Sequence, residues 1–404
     1  MKLGKCMGGL AVAVALGAGA AQAQISDGVI KIGVLSDMSS LYTDLAGAGS
    51  VLAAKMAVED SGIEKRGYKV EIVSADHQNK PDVGSNIARQ WYDVDHVDAI
   101  VDVPNSGVAL AVNQITRDKG KAFLAVGPGT SDLTGKACSP NTVHWAYDTW
   151  MLANGTGTAI TKQGGDTWFF IAADYAFGAA LERDTTAAVL RNGGKVLGGV
   201  KVPLNTQDFS SFLLQAQASK AKIIGLANAG GDTTNSIKQA AEFGIVKSGQ
   251  KLAGLLVFLT DIHALGLQTA QGLTFTTTFY WDMNDQTRAF AKRFAAADKG
   301  IHPTMVHAGV YAVVLDYLKA VEALKSDDGT KVIAKMKEMP TDDPLFGKGS
   351  IRVDGRKIHP AYLVQVKSPA ESKAPWDYYK IVATIPADQA FRPLADGECP
   401  LVKK

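Results

Sequence analysis

The stretch VIKIGV at residues 29–34 decides the fold, because it is a short apolar strand that leads through a polar turn into a helix. Leu45, Leu52 and Met56 lie on one stripe of that helix, which we expect to end at Gly62. The chain continues in the same manner, with predicted strands at 68–74 and 99–103 and a predicted helix at 82–95. Such alternation favours a parallel sheet with helices on both faces.

The same alternation begins again near Thr167, where the apolar run WFFIA is followed by a predicted helix that Gly193 and Gly194 close. Two such series in one chain predict two α/β, doubly wound lobes, each with its own sheet. The predicted elements of the second series are a helix at 178–191, a strand at 222–227, a helix at 233–243 and a strand at 252–258. Because ligands of such sheets sit at the carboxyl ends of the strands, we expect a cleft between the lobes.

The last part of the chain departs from this alternation. Two helices are predicted at 285–297 and 306–324. Beyond them, strands at 350–353 and 362–366 flank the turn Asp354-Gly355, a pattern that indicates a hairpin.

Residues 1–23 have the features of a secretory signal peptide: two lysines, an uncharged small-apolar run at 8–21, and a cleavage site at Ala21-Gln22-Ala23. Cys6 precedes the apolar run, so it is not placed for lipid attachment. We therefore expect a mature chain that starts near Gln24 and lies in the periplasm. No later stretch approaches the roughly 18–20 uninterrupted apolar residues that a membrane span needs.

Composition excludes several partners. Of the 404 residues, 42 are Lys or Arg and 40 are Asp or Glu, a net charge of +2, which gives no electrostatic case for nucleic acid or an anionic membrane. The length indicates about two domains. Two cysteines remain after processing, Cys138 and Cys399, and in an oxidising compartment we expect them to pair; the alternative is two buried free thiols.

Catalytic and metal-binding patterns are missing from the sequence. Its seven histidines show no ligand spacing, and no G-x-S-x-G elbow, P-loop or H-E-x-x-H motif occurs. We therefore expect neither an enzyme nor a metal or cofactor.

Polar turns that directly follow predicted strands are the candidate binding elements of the first lobe. One contains Asn105 and Ser106 before a helix, and such a helix N-terminus can hold a carboxylate, although Ser106 could merely cap its helix. The other runs through Gly127, Pro128, Gly129 and Thr130, where glycines allow close backbone approach and Thr130 adds a hydroxyl. The two turns could grip one carboxylate from two sides.

The second lobe offers aromatic and polar candidates at its strand ends. Tyr175 and Phe177 could cover an apolar ligand group, or Phe177 could simply pack at a helix entry. Asn228 follows the next strand. Asp261, past the strand that ends near Phe258, could receive a ligand ammonium or be a solvated loop acid.

Several of these segments are similar to segments of a known protein family. The leader, the start IKIGVL at 30–35, the turn Asn105-Ser106-Gly107, the stretch 127–134 and the run DYAFG at 174–178 resemble the branched-chain amino-acid-type solute-binding proteins of ABC transporters. The likeness extends over essentially the whole mature chain, and it depends on the order and spacing of these segments.

The resemblance implies a type I periplasmic binding fold whose two lobes are joined by a three-crossing hinge. The boundaries that we expect are 24–147 plus 282–350 for lobe 1 and 148–281 plus 351–404 for lobe 2. It also implies that Ser106 and the turn Pro128 to Thr130 hold a ligand carboxylate, and that an acid near Asp261 binds an ammonium. Phe177 stands where such proteins have a tyrosine.

Aromatic residues near the expected cleft add an aromatic carboxylate to the amino acid as an expected ligand. Trp145, Tyr147 and Trp150 lie near the first expected crossing, and Tyr42 and Tyr147 join the candidate contacts. We therefore expect a monomer that captures an amino acid or an aromatic carboxylate and delivers it to ABC transporter permease subunits. Alternatives are a ligand sensor for a membrane partner, an amide or urea binder of the same fold, and a periplasmic enzyme on the same lobes.

Overall fold

A computed structural model of the protein describes residues 25–403, and its first part forms a five-stranded parallel sheet with helices on both faces. This unit is called lobe 1. Its strands are β1 (Ile30–Ser36), β2 (Val70–Asp76), β3 (Ala99–Asp102), β4 (Ala122–Ala125) and β5 (Thr142–His144), and its helices are α1 (Gly47–Ser61), α2 (Pro81–Asp93) and α3 (Ser106–Lys119). The strand order β2-β1-β3-β4-β5 places β1 inside the sheet, which explains why β1 is buried over almost its whole length.

Lobe 2 repeats this plan with a four-stranded parallel sheet of order β7-β6-β8-β9. Its strands are β6 (Thr167–Ala173), β7 (Lys195–Val202), β8 (Ile223–Ala227) and β9 (Lys251–Gly254), with β10 (Thr274–Thr277) beyond them. Its helices are α4 (Thr149–Leu152), α5 (Thr158–Lys162), α6 (Ala176–Arg191), α7 (Ser210–Ala218), α8 (Gly231–Glu242), α9 (Leu259–Leu265) and α10 (Leu267–Ala270). The predicted α/β class with two doubly wound lobes is therefore confirmed.

The remaining chain adds to both lobes. Its helices are α11 (Asp285–Ala297), α12 (Met305–Leu324), α13 (Gly329–Glu338) and α14 (Ala387–Ala390), and its strands are β11 (Thr341–Asp343), β12 (Gly347–Ile351), β13 (Lys357–Ile358), β14 (Ala361–Val366) and β15 (Tyr379–Ile385). Helix α12 packs along α1 in lobe 1 and is buried almost throughout. Strands β10, β14 and β15 form an antiparallel sheet, and β11, β12 and β13 form a smaller one.

Local signals account for the helix ends next to the cleft. The Asn105 side chain accepts hydrogen bonds from the N–H groups of Gly107 and Val108 and so caps α3. Helix α1 ends at Gly62, whose φ of 62° lies in the left-handed region that glycine adopts without strain. The predicted stop at Gly62 is therefore confirmed.

The predicted hairpin is only half right. Strand β12 does turn back at Asp354-Gly355, but it pairs with β13, with Ser350 opposite Ile358. Strand β14, which we had expected to pair with residues 350–353, instead pairs with β10 and β15. The strand predicted at 252–258 is also wrong at its end, because β9 stops at Gly254. The turn signal correctly placed the reversal of the chain at Asp354-Gly355. Contacts between residues that are distant in sequence determine which strands pair.

Before the C-terminal tail, three crossings join the lobes. The chain passes from β5 to α4, from β10 to α11 and from β13 to β14, so the expected boundary at 350 falls inside the small sheet of β11, β12 and β13. Arg356 is fully buried between two of these crossings. Its guanidinium donates to the carbonyl oxygens of Trp145 and Tyr147 and lies 3.4 Å from Asp148.

Beyond β15 the C-terminal tail makes a fourth connection and returns to lobe 1, although we expected all of 351–404 to lie in lobe 2. Cys138 and Cys399 are joined by a disulfide, with Cα atoms 5.6 Å apart. Arg392 donates to the carbonyl of Ser131 in the same region. The predicted signal peptide lies outside the described residues. Within 25–403, no helix is both long enough and apolar enough to cross a membrane.

Candidate functional site

A small aromatic cavity lies between the two lobes, at the carboxyl ends of their strands. Its walls follow β1, β3 and β4 in lobe 1, β6, β8 and β9 in lobe 2, and the first crossing, as expected for a sheet of this kind. Five of the walls are aromatic rings. The lining residues are Tyr42, Leu45, Pro104, Gly127, Gly129, Tyr147, Tyr175, Phe177, Ala229, Leu256 and Phe258.

The lobes are in contact around this cavity. The hydroxyl oxygens of Tyr42 in lobe 1 and Tyr175 in lobe 2 are 2.6 Å apart, a hydrogen bond across the cleft. The space left inside is ≈ 10 Å³, about that of one water molecule. A ligand with a ring therefore enters only when the lobes move apart or the side chains move aside.

The tyrosines of the cavity are hydrogen-bond donors and carry no charge. Burial raises the pKa of Tyr42 and of Tyr147 well above that of a free phenol. Tyr147 donates its hydroxyl proton to the carbonyl oxygen of Gly127, which ties the first crossing to the turn after β4. The cavity therefore has neutral hydroxyls at its edge and apolar rings over most of its wall.

Gly129 and Gly127 are glycines because their neighbours lie too close for a side chain. A Cβ on Gly129 would lie 2.6 Å from Cε2 of Phe177 in the opposite lobe. A Cβ on Gly127 would lie 2.6 Å from Oδ1 of Asp102. Real Cβ contacts are longer, so the turn after β4 brings bare backbone to the ligand space.

Six of the twelve predicted ligand contacts line this cavity: Tyr42, Gly127, Gly129, Tyr147, Tyr175 and Phe177. The two hydroxyl turns predicted to grip a carboxylate do lie side by side, since the N–H of Thr130 donates to Oγ of Ser106 at 3.2 Å. The Thr130 hydroxyl accepts from the N–H of Asp132 and so begins the 3₁₀ turn Ser131–Thr134. Ser106 and Thr130 do not line the cavity themselves, and neither does Pro128, which lies between the two lining glycines in sequence.

Asn105 and Asn228 hold the backbone that carries the cavity wall. Asn105 caps α3, as described above. The amide of Asn228 accepts from the Thr233 hydroxyl and donates to the Ser236 hydroxyl, which fastens the end of β8 to α8. The residue after it, Ala229, reaches the cavity.

Asp261 lies apart from the aromatic cavity. It occupies the first turn of α9, where its Oδ2 accepts the N–H of Phe258 at 2.8 Å. Burial raises its pKa to about 7. It borders a polar groove of ≈ 440 Å³ between the lobes that also includes Asp44, and this groove meets the aromatic cavity at Leu45.

Sequence reasoning missed the apolar half of the wall: Leu45, Pro104, Ala229, Leu256 and Phe258. Four of them follow the end of a strand closely and Leu45 lies just before α1, but a search for polar groups passes over such positions. Asp102 was also missed. It is fully buried behind the cavity at a φ of 81°, and its Oδ2 accepts the Ser36 hydroxyl at 2.9 Å. Burial raises its pKa to about 6.

The charge pattern limits what the cavity can hold. No side chain that lines it is ionisable at neutral pH, so a bound charge has to be met by hydroxyl and N–H groups. The N–H of Gly129 makes no hydrogen bond to any other described residue. Among residues 25–403 no group of three His, Cys, Asp or Glu side chains is arranged to hold a metal ion.

A family model and two solved structures all relate this chain to periplasmic binding proteins. The model of the family described as "Periplasmic binding protein" matches residues 29–373. A periplasmic binding protein from Burkholderia mallei is 52% identical, with a TM-score of 0.91 over 93% of this chain and 100% of that one. A branched chain amino acid ABC transporter periplasmic ligand-binding protein from Burkholderia xenovorans is 43% identical, with a TM-score of 0.80 over 92% and 99%.

A more distant likeness concerns the fold alone. A solute binding protein from R. palustris, solved in complex with benzoate, is 21% identical to this chain. Its TM-score is 0.79 over 89% of this chain and 97% of that one.

Proposed function

Because this chain belongs to the periplasmic binding protein family, as a solute-binding protein of an ABC transporter and not an enzyme, we propose that its ligand is an aromatic monocarboxylate. The single observation that carries this choice is the ring of five aromatic side chains around a cavity without an ionisable lining residue. The periplasm is the compartment of the family, and the predicted signal peptide at residues 1–23 fits that place.

The ring of the ligand would lie among the aromatic walls. Tyr147 and Phe258 meet edge to face with centroids 6.1 Å apart, and Tyr175 and Phe177 are 6.0 Å apart. An inserted ring could stack on these faces once the lobes move apart. Such contacts contribute about 0.5–1.5 kcal/mol each beyond the burial of apolar surface.

The carboxylate would face lobe 1. There the N–H of Gly129 is unpaired among the described residues, and the Ser106 hydroxyl, at the first turn of α3, lies 3.2 Å from the N–H of the next residue, Thr130. In the hydrogen bond between Tyr42 and Tyr175 the accepting hydroxyl keeps its own proton, which adds one donor at the edge of the cavity. Hydrogen bonds to a charged acceptor are about twice as strong as neutral ones, so a few such donors suffice.

The absence of a lining carboxylate disfavours an ammonium in this cavity. A buried ammonium without a partner is costly, and Asp261, the predicted partner, stands in the neighbouring groove with its Oδ2 engaged by Phe258.

A branched-chain amino acid is the second candidate. The groove and the cavity meet at Leu45, and a related structure at 43% identity is the periplasmic ligand-binding protein of a branched chain amino acid ABC transporter. In that case the ligand side chain would occupy the aromatic cavity and its ammonium would turn towards Asp261.

Matched ligand pairs test the proposal. We would measure the thermal shift of the mature protein with 3-phenylpropanoate against phenylalanine and with 4-methylpentanoate against leucine, since the members of each pair differ only in the ammonium. The proposal expects the acids without an ammonium to stabilise the protein more. A larger shift with the amino acids would reverse the choice of ligand, and benzamide in the panel tests the amide alternative.

A further inference from the structure

A second cavity lies in lobe 1, away from the aromatic cavity. This outer pocket is bounded by Trp145, Leu315, Asp316, Leu318, Asp343 and Pro344, between α12 and strand β11. Its volume is ≈ 330 Å³, within the range in which proteins hold small molecules. It shares no lining residue with the aromatic cavity.

Asp316 is a buried carboxyl group that no part of the described chain satisfies. Its side chain is only 6% exposed, and it makes no hydrogen bond and no ion pair with any residue from 25 to 403. A buried carboxylate without a partner is costly, and native proteins satisfy nearly all such groups. A carboxyl group in this position beside a cavity therefore indicates a ligand.

Asp343 adds a second acceptor to the pocket. Its Oδ1 accepts the N–H groups of Leu345 and Phe346, whereas its buried Oδ2 has no partner among the described residues. Trp145 contributes an indole whose Nε1 is likewise unpaired in this part of the chain. On the buried side of the pocket, one carboxylate oxygen on α12 and one on β11 thus have no hydrogen-bond donor among the described residues.

The buried carboxylates of the outer pocket outnumber the buried cations by one. The buried ammonium of Lys357 is the cation that faces both carboxyl groups, and it already donates to Thr341 and lies 5.3 Å over the Trp145 ring. Lys319 on the rim also faces Asp316, and the rim carries Asp342 as well, so the two buried carboxylates and the one buried ammonium leave one negative charge unbalanced. On the rim, Arg66 pairs with Glu322, and Lys319 and Asp342 carry opposite charges.

We propose that the outer pocket binds a small organic ammonium ion, with its head at Asp316 and its apolar part against Leu315, Leu318 and Pro344. The apolar walls favour an alkylammonium over a hydrated metal ion. A metal site is further disfavoured because the carboxyl groups in the described chain do not converge as a set of three or more.

Protonation of Asp316 competes with this ligand. Burial raises the pKa of Asp316 to about 7, and Lys357, Lys319 and Asp343 are the charged groups that face it. The carboxylate form binds a cation and the protonated form does not. Binding should therefore weaken as the pH falls below about 7, whereas an alkylammonium, with a pKa near that of lysine, stays charged throughout.

The test uses n-butylammonium as the probe, titrated into the mature protein at pH 8 by calorimetry. We expect saturable binding that n-butanol and butyrate do not reproduce. Asp316→Asn should weaken it by at least about tenfold, because it removes the charge that the ammonium meets. The matched control Asp342→Asn removes the same charge from an exposed rim position and should change the affinity by less than about threefold.

Three results would overturn the proposal: no saturable binding of n-butylammonium, equal binding of n-butanol, or wild-type affinity in Asp316→Asn. The first would mean that water alone meets the two carboxyl groups. If Asp316→Asn does not fold, Asp343→Asn replaces it, because the amide oxygen can still accept the two N–H groups of the turn. A titration in the presence of saturating 3-phenylpropanoate, should that acid bind, must give the same ammonium affinity, since the two cavities are separate.

Discussion

The hydroxyl of Tyr42 in lobe 1 lies 2.6 Å from the hydroxyl of Tyr175 in lobe 2, so one hydrogen bond closes the aromatic cavity at its edge. This contact links the two lobes next to the ligand space. The lobes cannot separate without breaking it, and so it belongs to the closed form of the protein.

Tyr42→Phe and Tyr175→Phe should each favour the open form. Loss of one hydrogen bond of about 0.5–1.5 kcal/mol shifts the open–closed equilibrium by about 2- to 13-fold. Small-angle scattering of the ligand-free protein should show a larger radius of gyration, and the double variant should add little to either single one. Tyr362→Phe, on β14 away from the cleft, is the control. An unchanged radius in both single variants would show that the pair does not hold the lobes together.

Gly129→Ala should impair ligand binding and leave the fold intact. The new Cβ would lie 2.6 Å from the Phe177 ring when the lobes close, whereas the backbone of Gly129 lies outside the left-handed region. We expect the affinity to fall by at least about tenfold, with an unchanged melting temperature. In the double variant with Phe177→Leu the loss should be smaller than the sum of the two single losses. Additive losses would argue against a contact between the two residues in the bound form.

Much of this architecture could be predicted from the sequence. Apolar strands such as 29–34 and helices that end at glycines, such as Gly62, are local patterns, and they placed the cleft at the strand ends. The partners of β12 and β14 could not be predicted, because a short strand fits several neighbours and tertiary packing selects one. The same holds for β7 and α7, which were not predicted.

The binding cavity could be predicted in part. Tyr175, Phe177 and the glycine turn stood out because they follow predicted strands, where glycines allow close backbone approach and aromatic rings can cover a ligand. Leu256 and Phe258 did not, since apolar residues after a strand look like more strand. Whether Asp261 faced the ligand depended on how α9 begins, and the N–H of Phe258 that engages it is a tertiary detail.

Asp261→Asn should stabilise the protein at alkaline pH. The folded pKa of about 7 lies above the unfolded value near 4, so the folded state holds the proton more tightly. The cost of the charged form is therefore complete above pH 7 and disappears as the pH falls towards 4. Thermal unfolding should show a gain of about 1–3 kcal/mol at pH 8 that vanishes near pH 4. A loss of stability at pH 8 would indicate that the carboxylate is satisfied.

Cys138→Ser with Cys399→Ser should destabilise the protein, because this disulfide ties the C-terminal tail to lobe 1 across 261 residues of sequence. Urea unfolding should show a loss of about 2–4 kcal/mol relative to the oxidised wild type. Reductant should lower the stability of the wild type and leave the double variant unchanged. If reductant has no effect on the wild type, the two thiols are not paired in solution.

Calorimetric titration of the mature protein with benzoate and, separately, with leucine tests the central claim most directly. The aromatic cavity without an ionisable lining residue predicts saturable binding of benzoate, with a dissociation constant on the order of micromolar, and much weaker binding of leucine. Tight binding of leucine together with no detectable binding of benzoate would contradict it.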